Sequence, residues 1–226
     1  MNVFALVAAL LCFASACTPS KYSFESNKKL GTYLKVPRTW NELSQDELFG
    51  LYSAGEKQPS PEAYAIHKQV VWEKAWDSSA RTSPEHLVLG EADAPVARVN
   101  VRDLTVEQSD TMSPATLRNL VLGSYTQKLQ DFKELLRNPG TSELVSADFI
   151  PLQDEAISRE GFFGVRQLFE ARNTDDQSLY MIGFIGLVDN ARTRLHTLTV
   201  HCNRMCFVKN ETAFVKVLDS FTVRKP

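Results

Sequence analysis

The chain has 226 residues, 43% of them hydrophobic, enough to close a sizeable core in one domain or at most two, so disorder is not its default state. Its formal net charge is -2, with acidic and basic residues interspersed. That excludes both the electrostatic footprint of a nucleic-acid binder and a polybasic membrane patch.

The first sixteen residues, MNVFALVAALLCFASA, carry no charged side chain, and their apolar run is too short to span a bilayer comfortably before polar TPSKYSFES begins. This is the pattern of an export signal. The small residues Ala14, Ser15 and Ala16 directly before Cys17 resemble the lipobox of bacterial lipoproteins, whereas bulky Leu11 precedes Cys12. The resemblance implies that residues 1–16 are removed, that Cys17 is diacylated, and that the protein is held by lipid on the extracytoplasmic face of the cell membrane. Two acyl chains suffice for stable anchoring, where one binds only marginally. A plain secretory signal cut near Ala16 and an uncleaved anchor are the alternatives. Residues 17–21 are then the lipidated cysteine and a short tether, Thr18 to Lys21, which extends about 14 Å at roughly 3.5 Å per residue and keeps the domain beyond it, 22–226, close to the bilayer.

Tyr22 to Ser26 and Gly31 to Val36 read as two short strands joined by the polar turn Asn27-Lys28-Lys29, and Pro37 ends the second. Ser44 followed by Glu47 has capping-box spacing and predicts a short helix stopping near Gly50 or Ser53. Ser60-Pro61-Glu62 offers a second helix start. Val70 to Trp76 fits either a strand or the continuation of that helix, because periodicity does not separate the two. RTSPEHLVLGEADAP, residues 81–95, is a loop by composition. From Pro95 the pattern alternates, with Ala97, Val99 and Val101 on one face and Arg98, Asn100 and Arg102 on the other, as in a half-buried strand.

Ser113-Pro114 opens the clearest helical stretch, in which Leu117, Leu120, Val121, Ser124, Tyr125, Leu129, Phe132, Leu135 and Leu136 recur at three- and four-residue spacing until Asn138-Pro139-Gly140. One continuous helix of that length spans roughly 35 Å at 1.5 Å per residue, enough to cover a sheet. Leu144 to Leu152 is a further predicted strand. A three-stranded antiparallel meander follows, with turns near Asn173 to Asp176 and Asp189 to Arg192. Its middle strand, Leu179 to Val188, is apolar at both parities and must be covered on both faces. A helix-like run and DSFTV close the chain; Asn210-Glu211-Thr212 fits a glycosylation sequon but reads as a helix start. Strands, a long helix, more strands and a last helix argue an α+β fold, an antiparallel sheet with helices packed on it.

GTYLKVPRTW, a strand running into Pro-x-x-Trp, together with the C-terminal meander, helix and DSFTV, resembles the PsbP-like family. Its members include the extrinsic subunit of photosystem II and lipoproteins of actinobacteria in which the domain directly follows a lipidated cysteine. The resemblance implies an α/β/α sandwich over 22–226 and an accessory or interaction role.

Candidate sites are few. Cys202 and Cys206 close the connection between the last meander strand and the final helix. In an exported chain a disulfide is the economical reading, free buried thiols and a redox or metal role being the alternatives. His196 and His201 differ by five in number, so on one strand they face opposite ways and do not converge on zinc; both read as surface or strand-end residues. Glu85, His86, Glu91 and Asp93 read either as a solvated acidic loop or as an acid-base or metal cluster. Arg98 and Arg102 with Arg166 and Arg172 form an anion-binding strip if their strands are neighbours; pairing with Glu170 and Asp103 is the alternative. Trp40, Trp72 and Trp76 read as core or rim aromatics. The G-x-S-x-G elbow, H-E-x-x-H and a glycine-rich phosphate loop are all missing. The expectation is therefore a non-enzymatic binding or accessory lipoprotein without cofactor or metal, bound to the membrane through Cys17 and to an envelope partner, not to nucleic acid. Its surface is expected around Arg81, Glu85, His86, Glu91, Asp93, Arg98 and Arg102, since long loops on rigid scaffolds carry recognition. A small envelope enzyme centred on the 81–95 loop is the rival.

Overall fold

The computed structural model describes residues 20–52, 60–88, 92–137, 148–173 and 177–225. Strand β8 (Leu179–Asp189) is buried along nearly its whole length, which its apolar pattern at both parities demands. It lies inside a seven-stranded antiparallel sheet of order β3 (Asn41–Leu43), β4 (Val71–Asp77), β5 (Val96–Asp103), β9 (Arg194–Asn203), β8, β7 (Phe162–Arg172) and β6 (Phe149–Arg159). The predicted meander is β7-β8-β9, and β6 extends it by one edge strand.

Each face of β8 has its own cover. On one face, α6 (Arg204–Ser220) seats Phe214, Val217 and Leu218 against Ile185, Leu187, Leu198 and Val200. The helix comes close because β8 offers Gly183 there: a Cβ on that residue would meet Leu218 Cδ1 at 2.3 Å and Phe214 Cε1 at 2.9 Å. The outer side of α6 packs under a small sheet of β1 (Tyr22–Asn27), β2 (Thr32–Pro37) and β10 (Thr222–Val223), through Leu34 and Val36. The architecture is thus α+β, with antiparallel sheets and helices packed on them.

On the opposite face the predicted long helix is two pieces, α4 (Pro114–Arg118) and α5 (Tyr125–Arg137). Asn119 makes the break: its Oδ1 accepts from the Thr126 N–H and from the Thr126 hydroxyl, both at 2.9 Å, giving α5 a cap of its own. A sheet twists, so one straight rod follows it along a single line only. Two rods place Leu117 over Val165, Phe184 and Val188, and Tyr125 edge-on against Phe149 and Phe169. Leu120 and Leu136, counted in the apolar stripe, are exposed as a result.

Other differences are local. Val71–Asp77 is a strand that starts directly after α2 (Pro61–Val70), because pairing with β5 decides what periodicity left open. Strand β6 runs to Arg159, past the predicted Leu152, while 144–147 lie outside the described residues. Its polar second half sits at a sheet edge, with Pro151 beside a register shift. The sequon residues 210–212 fall in the middle of α6. The capping box at Ser44 and Glu47 opens α1 (Gln45–Tyr52) as its spacing requires, and Thr105 with Gln108 opens α3 (Val106–Thr111) in the same way.

Thr32 and His196, both buried, join the small sheet to the large one through a 2.9 Å contact between the Thr32 hydroxyl and His196 Nδ1. The sequence reading of His196 and His201 as surface or strand-end residues is wrong. They occupy opposite faces of β9, as their spacing requires, but are only 2% and 3% exposed. Strands flanked on both sides bury polar positions along with apolar ones.

Cys202 ends β9, Cys206 lies in the first turn of α6, and the two form a disulfide with both sulfurs in the core. Closing so small a loop restricts the unfolded chain by roughly 2 kcal/mol. Cys202→Ala/Cys206→Ala is therefore expected to unfold in urea with a stability lower by about that amount and with unchanged fold by circular dichroism. Equal stability of variant and wild type would show that the bridge adds nothing to the packing around it.

Candidate recognition surface

The loop that follows β4 is held by one residue that sequence reasoning passed over. Asp77, at the end of β4, has no solvent exposure. Its Oδ1 accepts from the Ser79 N–H at 2.8 Å, and its Oδ2 from the Ser83 N–H at 3.1 Å and from His86 Nδ1 at 2.7 Å. Ser79 and Ser83 supply further turns, the latter capping the 3-10 turn Pro84–Leu87 that carries His86. The signal was present in the sequence as Asp-Ser-Ser after a strand, the composition of a carboxylate folding back on its own backbone.

Of the two readings of Glu85, His86, Glu91 and Asp93, the described residues do not bring these side chains together as an acid-base or metal cluster. His86 is half-buried and meets Asp77 rather than Asp93, which is exposed; Glu91 lies outside the described residues, as does Cys17. Arg81 and Glu85 are exposed and, like Asp93, enter no ion pair among the described residues. Among the described residues no group of three His, Cys, Asp or Glu side chains is placed to hold a metal ion.

Beside this loop the sheet shows a polar strip. Glu73 and Asn100, Asn100 and Thr197, and Arg98 and Thr199 are register partners on one face of β4, β5 and β9. Arg98 Nε contacts Glu73 Oε1, and His67 Nε2 of α2 stands 4.0 Å from Glu73 Oε2. Burial pushes the Glu73 carboxyl up to about 7 and Arg98 down, displacements that the ion pair between them opposes. Below the strip, His201 Nε2 donates to the Leu87 carbonyl at 3.3 Å and so ties β9 to the loop, while its Nδ1 has no partner among the described residues.

The four arginines do not form an anion-binding strip, because β9 and β8 separate β5 from β7. Arg98 pairs with Glu73, Arg166 with Asp219, and Arg172 with Asp148, while Arg102 donates to the neutral Gln108 Oε1. Glu170 and Asp103 are taken by Arg204 and Arg194. Arg102 also lies at the far end of β5 from the Asp77 loop, so the expected surface is two surfaces.

No family model and no curated protein matches the chain. It is similar to solved structures that include the following. PsbP of the cyanobacterium Synechocystis sp. PCC 6803 has a TM-score of 0.47 and 12% identity, with 93% of this chain and 97% of that one covered. LpqN of Mycobacterium tuberculosis, described as involved in cell envelope biogenesis, has a TM-score of 0.44 and 13% identity, with 93% and 88% covered. The Ran-binding protein Mog1p of Saccharomyces cerevisiae has a TM-score of 0.41 and 12% identity, with 89% and 95% covered.

Burial lowers His196 and His201 to about 4, with the Arg194 charge adding to the effect at His196. The unfolded chain takes up both protons near 6.5. Their contribution is therefore complete above pH 6.5 and is lost as pH falls towards 4, at up to about 3 kcal/mol per histidine. Glu73 has the opposite sign, since its raised value makes the folded chain hold a proton that the unfolded chain releases near 4.5. Urea midpoints are expected to rise from pH 4.5 to 6.5, less steeply in His201→Gln and more steeply in Glu73→Gln. A midpoint that is flat across this range would contradict the burial argument. Arg98→Ala leaves a buried carboxylate without its guanidinium and is expected to cost about 3 kcal/mol at pH 8. The loss should be smaller at pH 5, where Glu73 is protonated; the same loss at both would mean that the pair does not titrate as described.

Proposed function

We propose that the protein is an exported lipoprotein, anchored by acyl chains on Cys17, that serves as a non-enzymatic binding or accessory protein at the cell envelope. The observation that carries this reading is the loop built on Asp77. A segment with loop composition is held by three hydrogen bonds to a fully buried carboxylate, while Arg81, Glu85 and Asp93 remain exposed beside it. Pre-ordered backbone under free charged side chains lowers the entropic cost of binding a partner. The loop also lies at the end of the molecule where Ser20, the first described residue, is placed. Ser20 accepts from Arg38 Nε at 2.8 Å, next to Pro37 at the end of β2, and β3 pairs Asn41 with Asp77 a few residues on. A partner in or near the bilayer would meet this end first, and confinement lets even a weak affinity suffice.

The rival reading, a small envelope enzyme, draws on one observation. A buried carboxylate 2.7 Å from His86 Nδ1 is an arrangement that orients an imidazole for proton transfer. The two readings separate on His86: under the binding reading the residue is a strut that glutamine replaces without loss of partner capture.

In-cell crosslinking and affinity capture of the wild type, of Cys17→Ala and of a variant with Arg81, Glu85 and Asp93 replaced by Ser tests the proposal. A reproducible partner weakened at least tenfold in both variants is expected, together with fatty-acid labelling that Cys17→Ala abolishes. Equal labelling of wild type and Cys17→Ala would remove the anchor. Substrate turnover that His86→Gln abolishes, with no partner recovered, would overturn the binding reading.

A further inference from the structure

The end of the molecule away from Ser20 carries a second feature that the partner surface does not use. Two cavities open there, one of about 310 Å³ and one of about 390 Å³, and Leu30 and Arg194 belong to the walls of both. The first holds Arg224 and Lys225, brought in by β10. Gly31 has φ +64, and a Cβ there would stand 1.9 Å from the Arg224 carbonyl, so glycine is what lets the C-terminal segment lie along the β1-β2 hairpin. The second cavity holds Lys29, Lys68 and Arg102.

The six cations, Lys29, Lys68, Arg102, Arg194, Arg224 and Lys225, face only two lining carboxylates, Asp103 and Asp189, in a chain whose net charge is -2. Both carboxylates are already engaged. Asp103 accepts from Arg194 Nε at 2.8 Å, and Asp189 closes the β8-β9 turn by accepting from the Thr193 and Arg194 N–H groups. Arg102 spends its guanidinium on the neutral Gln108, Arg224 stacks on Tyr33, and Lys68 lies over the Tyr64 ring with Asp46 4.0 Å away. Lys29, Arg224 and Lys225 enter no ion pair among the described residues.

We infer that the two cavities form a bipartite site for a small ligand carrying two phosphate groups, one seated by Arg224 and Lys225 and the other by Lys29, Lys68 and Arg102, with Arg194 between them. Cavities of this size fit a small molecule rather than a flat protein surface. A phosphomonoester carries about -1.5 to -2 at neutral pH, so two of them match an excess of four positive charges. Guanidinium groups bind phosphate oxygens in pairs, which a plain ammonium cluster does not. The inference goes beyond the partner-binding reading and does not depend on it.

Calorimetric titration of the full chain bearing Cys17→Ala, so that no acyl chain contributes, provides the test. Fructose 1,6-bisphosphate and fructose 6-phosphate are the soluble probes. The bisphosphate is expected to bind one to one and at least tenfold more tightly than the monophosphate. Arg102→Gln and the double variant Arg224→Gln/Lys225→Gln should each weaken it at least tenfold and abolish that preference, with urea midpoints unchanged. Vesicles of phosphatidylglycerol in phosphatidylcholine form a second arm. Vesicle binding that the same variants abolish, without soluble bisphosphate binding, would place the phosphates on lipid headgroups and keep the site. Binding of neither probe, binding that the variants leave unchanged, or equally tight binding of citrate would overturn the proposal.

Discussion

A strand with no polar face cannot meet water on either side, and β8 is such a strand: nine consecutive residues from Tyr180 to Val188 are buried. A sheet built around it needs cover above and below. On one face α6 is that cover, and its own second side needs cover in turn, which the small sheet provides through Leu34 and Val36. The contact is so close at Gly183 that a Cβ there would displace Leu218 and Phe214, and the Thr32 to His196 contact joins the two sheets directly. On the other face two short helices share the task over β7 and β8, and they leave that face of β5 and β9 partly open. The polar strip of Glu73, Arg98, Asn100, Thr197 and Thr199 lies where the cover ends.

Two buried carboxylates on β4 have different consequences because their partners differ. Asp77 is met by two backbone N–H groups and an imidazole, so its charge is solvated by groups fixed in place, and the loop is ordered as a result. Glu73, four residues earlier on the same face, is met by a guanidinium that is itself partly desolvated. The desolvation of both ions offsets their attraction, which is why burial still moves Glu73 towards neutrality. Asp77 gives the surface its shape, whereas Glu73 gives it a dependence on pH.

Much of this was legible in the sequence because the signals are local. The alternation of Ala97, Val99 and Val101 against Arg98, Asn100 and Arg102, the two-sided apolar run of β8, the Ser44 and Glu47 box and the spacing of the two bridging cysteines each depend on neighbours in the chain. What was missed depends on distant residues. The break at Asn119 follows from the curvature of a sheet whose strands come later in the chain, and apolar periodicity continues through it. His196 and His201 look like polar positions near a strand end until the layers above and below are in place. Asp77 was overlooked because a carboxylate at the end of an apolar strand reads as a boundary, and only the fold brings His86 back to it. The acidic loop cluster was sought within 81–95, but its true partner stands outside that window.

The two ends of the molecule differ for a reason that lies in the direction of its strands. β2, β5 and β9 all run between the Ser20 end and the hairpin at Lys28–Leu30. β9 alone spans about 33 Å at roughly 3.3 Å per residue. At the Ser20 end, Arg172 is paired with Asp148 and Arg204 with Glu170, and the charges without an ion pair among the described residues, on Arg81, Glu85 and Asp93, are of both signs. At the hairpin end, the carboxylates are used to close the β8-β9 turn and to hold Arg194, and Lys29, Arg224 and Lys225 enter no ion pair among the described residues. Like charges gathered on a low-dielectric, concave surface repel one another, and that cost is relieved when an anion enters. A fold that needed only stability would disperse them, since single-residue changes to Lys225 or Lys29 touch no core contact.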